Sequence, residues 1–240
     1  ALSALGRIHD GEDGLSAVAL AKAAGFPRIN LDLMHGLPGQ TVAEGQRDIE
    51  LALDAGISHL SYYQLTIEPN TAFYRRPPTL PAESILERLE DRGQRLLEAG
   101  GFKPYEISAW ARDGHYCRHN LTYWRYGDYV GVGPGAHGRL TLADGTRVGT
   151  RTHLAPEVWL DQVAQQGHAA KPFEAINPAE QVTEYLMMGL RLVEGVELER
   201  LAEVAQRELL VPLGPARERA RARRRLDRRA LALEEAVLRQ

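Results

Sequence analysis

Cysteine is almost missing from this chain: Cys117 is the only one in 240 residues. A single thiol excludes a disulfide framework and any metal centre built from several thiolates of this chain, and it fits a reducing, cytoplasmic location. Long apolar runs are missing too. None approaches the roughly 20 residues needed to cross a bilayer, and the opening Ala-Leu-Ser-Ala-Leu-Gly-Arg-Ile-His has neither the charged start nor the apolar stretch of a signal peptide. No initiator Met is present, so a piece of a longer protein is expected. There is no internal repeat, and low complexity is confined to an arginine-rich tail.

What remains is ordinary globular material. With 44% apolar residues the chain can bury one substantial core and a smaller satellite. Charge is uneven: residues 217–239 hold nine arginines against four acidic residues, so with a total of −3 the remainder carries −8. A tail of Ala, Leu, Arg and Glu without interleaved aromatics reads as a solvated helix rather than a nucleic-acid contact, and no nucleic-acid partner is expected.

Helix and strand signals alternate along the first half. Residues 13–24 form an Ala-rich helix stopped by Gly25, and residues 28–33 a short apolar strand. Thr41 with Glu44 is a capping box opening a helix to residue 55, ended by Gly56. Residues 59–65 are the next strand. Pro81 precedes a helix with Ile85, Leu86, Leu89, Leu96 and Leu97 inward, and residues 102–108 are a third strand. This rhythm predicts an α/β fold with a parallel sheet and right-handed crossovers. Three strands cannot close a barrel. With its first strand unpartnered on one side, the chain is expected to aggregate or form a homodimer. Further on, residues 129–133 and 138–142 read as strands, Asp144-Gly145 as a tight hairpin leading to a strand over 147–152, and residues 156–166 and 178–193 as helices. Asn177, Pro178 and Glu180 cap the last of these. A boundary near Pro172 divides the chain into 1–171 and a helical domain over 172–240.

Two stretches carry chemistry. In Asn30-Leu31-Asp32-Leu33-Met34-His35-Gly36-Leu37-Pro38-Gly39-Gln40-Thr41, Asp32 lies at the carboxyl end of a strand, where α/β sheets bind ligands. A carboxylate there accepts from paired ribose hydroxyls or an ammonium. On spacing alone, a structural role with a helix N-terminus or Arg28 is equally supported. The second stretch, Cys117-Arg118-His119-Asn120-Leu121-Thr122-Tyr123-Trp124, crowds a thiol, an imidazole, an amide and two large aromatics into eight residues.

Together with Leu5-Gly6-Arg7-Ile8-His9, the Tyr63 to Thr71 stretch, Gly127-Asp128-Tyr129 and the glycine-rich run from Gly131 to Gly138, these stretches give the chain a resemblance to one family, in the right order over roughly residues 1–195. It resembles the radical S-adenosylmethionine proteins related to oxygen-independent coproporphyrinogen III oxidase, and within them the haem chaperone branch, HemW. The His-Asn-x-x-Tyr-Trp pattern marks that branch. The oxidases carry Arg-Asn-Phe-Gln-Gly-Tyr in that region.

The resemblance implies the second half of a radical S-adenosylmethionine partial (β/α) barrel followed by a small, mostly helical domain, divergent or truncated after about residue 205. It implies S-adenosylmethionine contacts at Arg7, Asp32 and Thr66, and a haem-binding motif of His119, Asn120, Tyr123 and Trp124 with His119 as the axial ligand to iron. Cys117 is the second candidate, and His35 and His137 come after it. A hydrogen-bonded structural histidine is the competing reading of His119, and Tyr123, Trp124, Tyr126 and Tyr129 suit a domain interface equally well. The family's Cys-x3-Cys-x2-Cys loop and Gly-Gly-Gly-Thr-Pro strand end are absent here. A 4Fe-4S cluster is therefore implied for the full-length protein only, and this chain alone supports no radical chemistry. The implied function is haem binding and delivery to haem-accepting proteins such as respiratory enzymes. Two alternatives remain: oxidative decarboxylation of coproporphyrinogen III, and a non-catalytic interaction module.

Overall fold

Helix α1 (Gly11–Ala23) starts before its apolar pattern does, because Asp10 caps it. One Asp10 oxygen accepts from the backbone N–H groups of Glu12 at 2.9 Å and Asp13 at 3.0 Å, and the Asp13 carboxylate accepts the Asp10 N–H at 3.0 Å. These bonds satisfy donors that every helix start leaves without partners. The computed structural model describes residues 2–205. The chain divides into two units, Ala1–Cys117 and Arg118–Gln240. The arginine-rich tail lies outside the described residues.

In the first unit, strand β1 (Asn30–His35) leads through a glycine turn to helix α2 (Val42–Asp54), which the Thr41–Glu44 box caps as expected. Strand β2 (His59–Gln64) lies parallel to β1, with Asn30 opposite His59 and His35 opposite Gln64. The short helix α3 (Ala72–Arg75) precedes α4 (Glu83–Ala99), which packs beside α2. Ile49, Ala52, Leu60, Tyr62, Leu97, Phe102 and Trp110 make the buried core between these helices and the sheet. Tyr62 reaches α4, donating its hydroxyl to the Leu89 carbonyl at 2.9 Å, and its ring lies against Gly93 so closely that no methyl group fits there.

The expected third parallel strand over 102–108 is corrected by the structure. Strand β3 (Lys103–Pro104) stops almost at once and turns back into β4 (Ala109–Ala111), which pairs antiparallel with both β3 and β2, giving the order β1-β2-β4-β3. The cause is local. The buried Glu106 carboxylate accepts from the Ser108 backbone N–H at 3.2 Å and its hydroxyl at 2.9 Å, closing a turn inside the apolar run. β3 still runs in the direction of β1 and β2, one strand further out. Among the described residues, nothing pairs with the outer edge of β1.

The second unit opens with a helix that the sequence did not announce, α5 (Arg118–Trp124). Strands β5 (His137–Thr141) and β6 (Arg147–Arg151) form the Asp-Gly hairpin expected, with Gly145 at φ 85° and the Asp144 carboxylate accepting the Thr146 N–H at 2.8 Å. The strand expected over 129–133 reduces to one bridge, Tyr129 to Arg139. Helix α6 (Pro156–Gln166) is followed by β7 (Glu174–Ala175) on the far side of β6. Pro172 therefore lies within this unit, between the Thr152–Ala170 bridge and β7. Helix α7 (Pro178–Gly189) has the Asn177–Glu180 cap expected but ends four residues early, and α8 (Leu198–Ala205) packs on it. Among the described residues no helix is long and apolar enough to cross a membrane.

Four outcomes follow from this packing. Gly93→Ala should destabilise the first unit by about 1–3 kcal/mol, because the added methyl group displaces the Tyr62 ring. Gly14→Ala, on open space in α1, should instead stabilise by roughly 0.5–1 kcal/mol; paired urea unfolding curves measure both. The free edge of β1 should make the chain associate as concentration rises, which sedimentation velocity detects; a monomer throughout the range means that the edge is covered. His35, buried and stacked on Tyr62 at 4.4 Å, is pushed down to about 4 by burial. An unfolded imidazole titrates near 6.5, so the unfolded chain takes up the proton first as pH falls. Stability should drop between about pH 6.5 and about pH 4, by up to about 3 kcal/mol. The difference between wild type and His35→Phe, unfolded in urea at pH 7 and pH 4.5, isolates this contribution.

Candidate functional site

Alternation along β1 and β2 sorts the sheet into two faces. Leu31, Leu33, Leu60 and Tyr62 point to the helices, whereas Asn30, Asp32, His59, Ser61 and Tyr63 fall on the opposite face. The register sets Asp32 beside Ser61 and Asn30 beside His59. No helix of the first unit is needed to explain these polar residues, because they bond to one another. The Asn30 amide nitrogen donates to Asp32 Oδ1 at 2.8 Å, and its oxygen lies 2.7 Å from His59 Nδ1 and 3.3 Å from Ser61 Oγ. His59 Nε2 lies 2.7 Å from the Tyr105 hydroxyl, which accepts the Cys117 backbone N–H at 3.4 Å. Burial pushes the His59 imidazole below its usual range, against the raising pull of the Glu106 and Asp32 carboxylates.

Asp32 is exposed at the head of this chain of bonds. Arg7, also exposed, follows a 3-10 turn at Leu2–Leu5. Both act on the half-buried Tyr63, whose hydroxyl is pushed up by burial and by the Asp32 carboxylate and pulled down by the Arg7 guanidinium. The same side of the sheet thus feels both charges. Thr66 is exposed two residues past β2, its hydroxyl 3.5 Å from the Gln64 carbonyl. The turn after β1 is fixed as its composition suggested: Gly36 and Gly39 both have φ 72°, and the buried Gln40 accepts the Leu37 N–H at 3.2 Å and donates to Asp48 at 3.2 Å. At Gly36 a side chain is excluded twice, by its φ and by Leu86 and Gln64.

In the second unit, α5 puts His119 and Tyr123 one turn apart. The Tyr123 hydroxyl lies 3.0 Å from His119 Nε2, the two rings meet edge to face at 4.7 Å, and Tyr129 stacks edgewise on Tyr123 at 4.3 Å. His119 is exposed. Asn120 and Trp124 are half-buried, and Trp124 lies under the Arg191 guanidinium at 4.4 Å. Tyr126 faces inward, packing on Tyr185, with the Arg147 guanidinium 3.8 Å above its ring. Cys117 is half-buried, His137 is exposed at the start of β5, and His35 is enclosed by the core.

Sequence reasoning missed Asn30, His59, Ser61, Tyr63 and Tyr105. The signal was present as polar residues at every second position, Asn30 and Asp32 in one strand and His59, Ser61 and Tyr63 in the next. It also missed the buried Arg147, which donates to Asp128 at 2.7 Å, to Thr141 at 3.2 Å and to the Tyr126 and Gly127 carbonyls at 3.2 and 3.1 Å. Beside it, burial would raise Glu184, but hydrogen bonds from Arg139 and Tyr126 outweigh this and hold its carboxyl low. Among the described residues, no three His, Cys, Asp or Glu side chains are grouped to hold a metal ion.

No family model matches the chain. It is 42% identical over 193 residues to the heme chaperone HemW of Escherichia coli (strain K12), an alignment covering 80% of this chain and 50% of that protein. It is 43% identical over 197 residues to the heme chaperone HemW of Haemophilus influenzae, covering 81% and 50%. The HemW of Bacillus subtilis (strain 168) is 35% identical over 212 residues, covering 87% and 55%. In structure the chain resembles coproporphyrinogen III oxidase (HemN) from Escherichia coli, a radical SAM enzyme, with a TM-score of 0.65 over 85% of this chain and 50% of that one. At 16% identity that likeness establishes the radical SAM fold alone. The chain spans about half the length of the curated relatives it matches, and over that span it is similar to HemW proteins at 35–43% identity.

Proposed function

We propose that the protein carrying this chain is a haem chaperone, which binds haem and passes it to haem-accepting proteins such as respiratory enzymes in the cytoplasm. The observation that supports this best is the pairing of the exposed His119 with Tyr123 on α5. An imidazole that ligates iron commonly has its second nitrogen hydrogen-bonded, which fixes the ring. Here the Tyr123 hydroxyl on Nε2 serves that purpose and leaves Nδ1 for the iron. Asn120 and Trp124 belong to the same motif, as residues that shape and pack the helix.

S-adenosylmethionine is the second ligand of this reading. Asp32 suits paired hydroxyls or an ammonium and Arg7 a carboxylate, as the exposure of both side chains and their common influence on Tyr63 allow; Thr66 is the third contact. A 4Fe-4S cluster does not fit the residues of this chain, since Cys117 is its only thiol. Cluster ligands in the whole protein would come from residues outside this chain, and no step here depends on them.

Haem titration followed through the Soret band tests the reading. His119→Ala should abolish or shift the band while far-UV circular dichroism stays unchanged. Tyr123→Phe should weaken binding by about twofold to tenfold, the effect of one hydrogen bond, and Cys117→Ser should leave the spectrum as it is. A wild-type spectrum in His119→Ala would overturn the ligand assignment and turn attention to His137.

A further inference from the structure

We propose that Asn30, His59 and Tyr105 form a one-directional hydrogen-bond relay whose task is to hold the Asp32 carboxylate ready for its ligand. The inference rests on the reading of Asp32 as an S-adenosylmethionine contact. It adds three positioning residues, none of which the family resemblance singled out.

The direction of every bond follows from the charged end. An ionised carboxylate only accepts, so the Asn30 atom 2.8 Å from Asp32 Oδ1 is the amide nitrogen. The amide oxygen then faces His59 and Ser61, at 2.7 and 3.3 Å. An oxygen at that distance requires a proton on His59 Nδ1. The other neutral tautomer would set two acceptors against each other 2.7 Å apart. Burial of the ring disfavours a second proton. Nε2 is therefore an acceptor, so the Tyr105 hydroxyl donates to it at 2.7 Å and turns its lone pairs to the Cys117 N–H. Each group has one role left once its neighbour is fixed.

The arrangement bears on binding because of what it does to Asp32. Oδ1 is engaged by Asn30, itself anchored to the neighbouring strand β2 through His59 and Ser61, and Asp32 accepts from no other side chain among the described residues. Oδ2 is left for the ligand, on a carboxylate whose rotamer is already set. An exposed aspartate otherwise loses side-chain freedom when it binds; here that loss occurs on folding. His59 and Tyr105 are too far along the relay to meet the ligand, so their effect passes through Asn30.

The experiment uses the 240-residue chain with S-adenosylmethionine as the probe. Imidazole nitrogen NMR should find His59 neutral and protonated at Nδ1 near pH 7, and Asn30→Ala should admit the Nε2-protonated form. Titration followed by backbone amide shifts at residues 30–32 should show affinity reduced about threefold to tenfold in Asn30→Ala and about twofold in Tyr105→Phe, effects in the range of one hydrogen bond or less. Asp32→Ala should reduce it at least as much as Asn30→Ala. A wild-type His59 protonated at Nε2 overturns the relay whatever the binding data. A correct tautomer, with affinity lost in Asp32→Ala but untouched in Asn30→Ala and Tyr105→Phe, overturns the positioning role and leaves the ligand reading standing. Equal affinity in Asp32→Ala and wild type, or no titration in wild type, removes the ligand reading and the positioning role with it, while the tautomer still shows whether the relay exists.

Discussion

The parallel register of β1 against β2, with Asn30 opposite His59, is the constraint on which the first unit depends. Strand side chains alternate between faces, so a slip of β1 by one residue would turn Leu31 and Leu33 away from α2 and α4 and drive Asn30 and Asp32 into the core. The apolar face sets the register because burying those side chains is worth several kcal/mol in sum. The polar face inherits its geometry from that choice. Asn30, Asp32, His59 and Ser61 meet because the core packs on the other side of the same strands.

Much of this was legible because it is written in short-range patterns. The Thr41–Glu44 and Asn177–Glu180 boxes, the Asp144-Gly145 turn and the inward leucines of α4 need only neighbours within a turn or two, and all are present. Residues 102–108 failed because Glu106 looks like a strand interruption of no consequence until its carboxylate is seen closing a turn on Ser108. Helix α5 was invisible for a different reason: Cys117 to Trp124 has neither an apolar period nor a side-chain cap, and its end is set by Tyr126, a non-glycine residue at φ 55°. The left-handed region costs such a residue roughly 1–2 kcal/mol. The contacts of the Tyr126 ring with Tyr185 and the Arg147 guanidinium offset it.

The candidate site was legible where residue type alone carries information and illegible where partners are distant. Asp32 stands out as a carboxylate in an apolar strand. His59 does not, since its partners Asn30 and Tyr105 lie 29 and 46 residues away. Arg147 was hidden in the same way. In a hairpin strand an arginine reads as solvent-facing, and nothing local reveals that Asp128, 19 residues earlier, draws it inside. A buried guanidinium requires several acceptors at once, and the turn around Tyr126 and Gly127 supplies two carbonyls in addition to Asp128 and Thr141.

The His-Asn-x-x-Tyr-Trp stretch shows that a sequence motif is not the same as a functional unit. Helical spacing puts His119 and Tyr123 on one face, where a shared hydrogen bond couples them. Trp124, the next residue, is turned by about 100° around the helix axis and lies under Arg191, so its indole serves packing. Substituting Trp124 therefore changes how firmly α5 is seated before it changes anything at the His119 ring. The motif joins an exposed histidine paired with a tyrosine to a half-buried tryptophan lying under a guanidinium, and their adjacency in sequence follows from the pitch of one short helix.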